Sequence, residues 1–306
     1  MGTLANLGIW LPALGASLTW ALSAPIVSRG VSLLPTDRRP EALVQGLTLA
    51  VLVGAALLTP FALDQGIPTS LNVNVALAGI LTFPVATLLY YLTAHAYGSR
   101  ADLAVQFARV KPVFSIGLAV LFLGERLTSG DTFSALLAIS GVAVMAYGAV
   151  RGEFSWPSLF FGLATAGAWA LGEMYVGLGF PQGGSAAQTW VTLVVALVVL
   201  VPLAVWATWR RPLALVRDWT WARYFALHGA VSFAFAYALF FSSIVSLGLA
   251  RTVLVTAFWP VISLLVAMAV GRRRGQEVAV PATVWIAAAL LLSGSVAQPL
   301  FGWLAG

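Results

Sequence analysis

The chain has 306 residues, of which 60% are hydrophobic and only 8% charged, and its mean hydropathy is +0.95. A soluble domain carries roughly a quarter charged residues, so most of this surface faces lipid and an ordinary soluble module is excluded. With no cysteine there is no disulfide framework, thiolate metal site or thiol nucleophile. The net charge of +6 belongs to loop arginines that orient the chain, so it does not imply a nucleic-acid partner.

Apolar stretches long enough to cross a bilayer (about 20 residues) run approximately over 7–28, 41–63, 75–98, 102–123 and 132–150. A second set covers approximately 156–178, 186–208, 224–247, 251–270 and 281–303. The first stretch lacks a basic leader and a small-residue cleavage site, so it reads as a span. The runs are continuous rather than alternating, which argues against a β-barrel. The expected fold class is therefore all-α and integral to the membrane, with ten transmembrane helices and loops too short for an outside domain.

The two sets repeat each other. Trp20-Ala21-Leu22 recurs as Trp169-Ala170-Leu171, and Tyr90-Tyr91 with Gly98 as Phe240-Phe241 with Gly248. Pro112 with Ser115 recurs as Pro260 with Ser263, Glu125 as Glu277, and Ser140-Gly141 as Ser293-Gly294. The expected units are 1–150 and 151–306, five helices each. An odd number of spans per unit inverts the second copy, and inverted repeats around a midplane site are the architecture of secondary transporters.

Arg29, Arg38, Arg39, Arg100, Arg151, Arg210, Arg211, Arg217, Arg272, Arg273 and Arg274 fall on one side of a ten-span arrangement. The other side holds little more than Arg126 and Arg251. The positive-inside rule places the arginine-rich side in the cytoplasm, with both termini outside.

Polar groups within spans mark candidate site residues. Lys111 is the only lysine and directly precedes Pro112, with Arg109 two residues earlier. A cation at the bilayer centre costs about 3 kcal/mol on insertion scales. Each of these two therefore attracts a carboxylate in a substrate path, snorkels to the interface or closes an internal ion pair. Glu173, one turn after Trp169, is the one acid deep in a span. It carries a coupling proton, holds a substrate amine, or pairs with Lys111 or Arg109. Asp64, Asp102, Asp131 and Asp218 read as helix ends or caps.

Pro84, Thr87, Tyr91 and His95 form one stripe at helical spacing, matched by Ser232, Phe235, Leu239 and Ser243. His95 and His228 read more readily as packing residues than as titrating ones, and no paired-ligand spacing supports a metal. Trp209, Trp219, Trp221 and Trp303 sit at span ends as an interfacial belt. Trp20, Trp169 and Trp259 lie well inside their helices and are candidates for an apolar cavity wall. Pro112 and Pro260 interrupt equivalent helices and are candidate hinges. Dense small residues, such as Gly162 to Ala168 and Ala135 to Gly141, permit close helix contact.

The run Arg100-Ala101-Asp102-Leu103-Ala104, then Lys111-Pro112-Val113-Phe114-Ser115, then Leu123-Gly124-Glu125-Arg126-Leu127-Thr128 resembles the end of an EamA-type repeat of the drug/metabolite transporter (DMT) superfamily. The second copy departs from it, because Gln276 precedes Glu277. Within that superfamily the chain is most similar to bacterial aromatic amino-acid exporters. The resemblance implies a basket-like fold of two inverted five-helix repeats. It also implies export of aromatic and other neutral amino acids across the bacterial inner membrane, with no cofactor. Lys111 or Arg109 would then hold the carboxylate, Glu173 or Gln106 the ammonium, and Trp20, Trp169 and Tyr91 the side chain. A monomer suffices, since each half supplies the other's missing partner.

In the small multidrug exporters, relatives with a single four-helix repeat, the first helix carries a coupling glutamate. Here that span has no acid, and Glu173 stands at the place equivalent to Ala24. Facilitated diffusion and proton antiport both stay open. Other solutes, namely a drug cation, a nucleobase or a sugar phosphate, are the alternative cargo. No GxSxG, paired aspartates or metal cluster supports a membrane enzyme, and an internal repeat argues against a channel.

Overall fold

The computed structural model describes residues 8–35, 39–67, 72–95, 108–150, 156–180, 185–209, 219–273 and 282–304. Among these, every regular element is helical. The helices are α1 (Leu11–Ser32), α2 (Arg39–Gln65), α3 (Val73–His95), α4 (Lys111–Phe122) and α5 (Ser129–Val150). They continue as α6 (Trp156–Gly179), α7 (Ser185–Thr208), α8 (Trp219–Leu247), α9 (Leu249–Thr256), α10 (Trp259–Arg273) and α11 (Ala282–Leu304). Six of them (α1, α2, α3, α6, α7 and α8) are long and apolar enough to cross a membrane, and the rest contain shorter apolar helices.

Local chemistry sets the boundaries. Asn72 caps α3 by accepting the Asn74 N–H at 2.8 Å. Thr128 and Asp131 form a reciprocal cap at the start of α5, each side chain accepting the other's backbone N–H. Gly248 takes φ +87°, which ends α8 and lets α9 start at once in a new direction.

Helices pair across the two halves. α2 packs along α7, and α5 along α11. α1 lies against α8 and α10, whereas α6 lies against α3 and α4. Glycines set the closest approaches. Gly79 of α3 meets the Thr192 backbone of α7, and Gly229 of α8 meets the Ala50 backbone of α2. The repeated Ser-Gly pairs have the same purpose. A methyl on Gly141 would lie 3.0 Å from the Ala287 carbonyl oxygen, and one on Gly294 2.8 Å from that of Ser134. Phe83, Phe225, Phe233, Phe240 and Phe241 fill the centre. Leu121, Phe122, Phe160, Val198 and Trp206 point outward, as a lipid-facing surface requires.

Four features differ from the sequence expectation. Both α3 and α8 contain a π-helical stretch, Leu81–Thr87 and Gly229–Ala236 respectively. In α3, Pro84 lacks an N–H, and the Thr87 hydroxyl donates to the Thr82 carbonyl at 2.7 Å. The wider turn breaks the regular α-helical stripe: Thr87 and Tyr91 stay inside, while Phe235 of the matching stripe turns out and is exposed. Pro112 and Pro260 do not kink continuous helices. Each sits in the first turn of a helix that begins after a break, where a missing N–H costs nothing. Thus the expected ninth span is two helices, α9 and α10.

Trp221 is the remaining difference. It is buried against Phe225 rather than interfacial, because it lies two residues past Trp219 and so on the opposite face of α8. Trp209 and Trp219 are exposed, as belt residues should be. The side chain of Trp303 lies outside the described residues.

Candidate functional site

The breaks before Pro112 and Pro260 open onto one central cavity, with about 170 Å³ of room for the centres of water molecules. A single water needs roughly 10–15 Å³ on that measure, so the space suits a small organic solute. Its wall draws on both halves: α1, α3, α4 and α5 from the first, and α6, α8, α9, α10 and α11 from the second.

Of the sequence-predicted residues, Trp20, Tyr91, Arg109, Lys111, Trp169, Glu173 and Trp259 all line this cavity, and so do Pro112 and Pro260. Gln106 and the side chain of His95 lie outside the described residues.

The polar centre is an ion pair between halves. Lys111 at the start of α4 donates to Glu173 Oε1 of α6 at 2.5 Å. Ser115, one turn along α4, donates to Oε2 at 2.6 Å, so both carboxylate oxygens are engaged. Lys111 keeps 17% of its side chain accessible against 5% for Glu173, which leaves the ammonium as the more reachable partner. The ammonium also lies 5.0 Å from the Phe240 ring centroid and 5.9 Å from that of Trp20. Arg109, in the break itself, adds a second cation to the wall.

Aromatic rings surround this centre. Trp20 contacts Tyr237 and Phe240 at centroid distances of 5.3 and 4.9 Å. Trp169 lies 5.2 Å from Tyr90, and its indole N–H donates to Thr87 at 3.3 Å. The repeated tryptophans therefore stand in the same cavity, each held by helices of the opposite half.

A second polar cluster escaped the sequence reading. His228 of α8 is held at both ring nitrogens, by the Ser23 hydroxyl of α1 at 2.5 Å and the Tyr91 hydroxyl of α3 at 2.6 Å. All three residues line the cavity. The available signal was that Ser23 follows Trp20 by nearly one turn, on the side already assigned to the wall. Thr87, Tyr90, Ser232, Tyr237 and Thr256 add to the polar lining. Tyr237 and Thr256 carry no repeat signal or unusual charge, and only the packing of α8 and α9 brings them there.

The EamA-like transporter family matches residues 7–147 and again residues 156–295. A solved structure titled "Crystal structure of protein" is similar over 96% of this chain and 99% of its own, with a TM-score of 0.71 and 19% identity. At that identity the likeness speaks for the fold alone. No curated protein matches the sequence. Two copies of the family's unit, several apolar spans and a central cavity agree: the chain belongs to the EamA-like transporter family, as a multi-pass membrane transporter of the drug/metabolite type.

Proposed function

We propose that the protein exports neutral amino acids, aromatic ones included, across the bacterial inner membrane. The observation that carries this reading is the ion pair of Lys111 and Glu173 set in an aromatic-walled cavity beside Arg109. An amino acid presents a carboxylate, an ammonium and a side chain. The cations suit the first, Glu173 the second, and Trp20, Trp169, Tyr91 and Trp259 the third. Two cations to one acid disfavour an organic cation as cargo. A phosphorylated solute would call for several converging arginines, and the described lining offers one.

In this reading ten helices cross the membrane as two inverted units, 1–150 and 151–306, and the arginine-rich loops face the cytoplasm. The breaks before Pro112 and Pro260 are the bending points of alternating access around the midplane cavity. A single chain contains the whole site.

The test is counterflow in liposomes carrying the purified protein. Labelled phenylalanine should exchange against neutral and aromatic amino acids, and Lys111→Ala or Glu173→Ala should abolish that exchange. Competition by a lipophilic cation or a sugar phosphate, with no amino-acid exchange, would retain the transporter and overturn the cargo.

A further inference from the structure

A second polar contact between the halves lies away from the cavity, at the start of α9. Glu125, just past the end of α4, accepts the backbone N–H of Leu249 at 2.6 Å and of Ala250 at 3.0 Å. A carboxylate there satisfies N–H groups that a helix start leaves unpaired and meets the positive end of the helix dipole. Gly248 is required twice over. Its φ of +87° suits glycine, and a methyl there would sit 2.9 Å from the Glu125 carboxylate. One turn on, Arg251 donates from Nε and from a terminal nitrogen to Asp131 of α5, at 3.2–3.3 Å. The first half thus grips the second at one short helix.

That helix leads directly to the cavity. α9 is buried along its length except at Arg251, and its far end supplies Val253 and Thr256 to the cavity wall. Eight residues span roughly 12 Å, so the grip and the wall are two ends of one rigid lever. At the far end, Ser17 of α1 and Ser295 of α11 donate to the Thr256 and Leu254 carbonyls at 3.5 and 2.8 Å.

We propose that Glu125, Gly248, Arg251 and Asp131 form a releasable gate, which closes one end of the cavity by fixing the start of α9. The grip differs in kind from the permanent contacts between halves. The α5–α11 pair is closed by glycines and backbone, with nothing to exchange. The grip is made of charged groups at the end of the bundle, and the Arg251 side chain is 39% accessible against 2% for Asp131, so water reaches the guanidinium side of the pair. Movement of α9 away from α4 and α5 must break it. With the arginine-rich loops inside, this gate lies on the outer face. The inference rests on the alternating-access part of the proposed function and is independent of which solute moves.

The absence of native cysteine allows a test that needs no solute. A single cysteine at Ala24, in the cavity wall, is reacted with a membrane-impermeant maleimide in right-side-out and in inverted vesicles. Two variants are compared with the parent: Glu125→Gln weakens the cap, and Arg251→Met removes the ion pair while leaving the Thr128–Asp131 cap in place. Each should raise labelling from the gate face about tenfold and lower it from the other face. Rates unchanged from both faces, in variants with parental melting temperature, would overturn the gate. So would an equal rise from both faces, which is loosened packing, or a cysteine unreactive from either face in every variant. Failure of amino-acid counterflow leaves this measurement intact, so the two readings fail separately.

Discussion

The junction of α4 with α6 and the junction of α10 with α1 are built on the same plan and carry opposite chemistry. Lys111-Pro112 opens α4, and Trp259-Pro260 opens α10. Glu173 of α6 stands where α1 has Ala24. One junction is an ion pair braced by Ser115; the other offers an indole, a methyl group and the sequence-related Ser263. Both face the same cavity. The two copies share a backbone plan, and the positions where they have parted set the charge of the cavity wall. One cavity thereby gains a charged side and an apolar side from a single ancestral plan.

Breaking the charged junction should have the largest effect. Glu173→Ala strands the Lys111 ammonium, and removing one member of a buried pair costs about 3–5 kcal/mol. A marked fall in melting temperature in detergent is expected, while Ala24→Ser at the mirrored position should change it little. The aromatic wall comes next: Trp20→Ala and Trp169→Ala should each cost about 3 kcal/mol in thermal unfolding and raise the half-saturating solute concentration in counterflow. Packing between the halves follows. Gly294→Ala pushes against the α5 backbone and should cost about 1–3 kcal/mol. Gly167→Ala meets open space in α6 and should be neutral or slightly stabilising, by up to about 1 kcal/mol. The smallest contrast is between the sequence-related serines. Ser115→Ala removes one hydrogen bond to Glu173, worth about 1 kcal/mol, and Ser263→Ala should cost less in the same melt.

Much of this layout was legible in the residues. Lys111, Glu173 and the two repeated tryptophans stood out because charge and repetition are rare in lipid-facing sequence, and all four meet at the cavity. The pairing of Lys111 with Glu173 was among the alternatives already open. The His228 cluster was hidden because its partners, Ser23 and Tyr91, are 205 and 137 residues away in the chain. Hydrogen-bond partners at such separations leave no spacing to read. The π-helical stretches were hidden for another reason: Pro84 signals an interruption in α3, but the equivalent stretch of α8 contains no proline, and the contact of Gly229 with Ala50 is tertiary. The proline positions were legible as interruptions, yet a sequence does not distinguish a bend within a helix from a fresh start after a gap.

The crosswise pairing of α2 with α7 and of α5 with α11 has a consequence for how the protein is made. When the ribosome has delivered the first five apolar segments into the bilayer, α2 and α5 are inserted but the surfaces that cover them do not yet exist. In the proposed ten-span topology the early segments wait in lipid as separate spans, and the bundle closes only after the last segment has entered. Cutting the chain between α5 and α6 should therefore leave two fragments that are each incomplete in the membrane and regain a compact form when synthesised in the same cell.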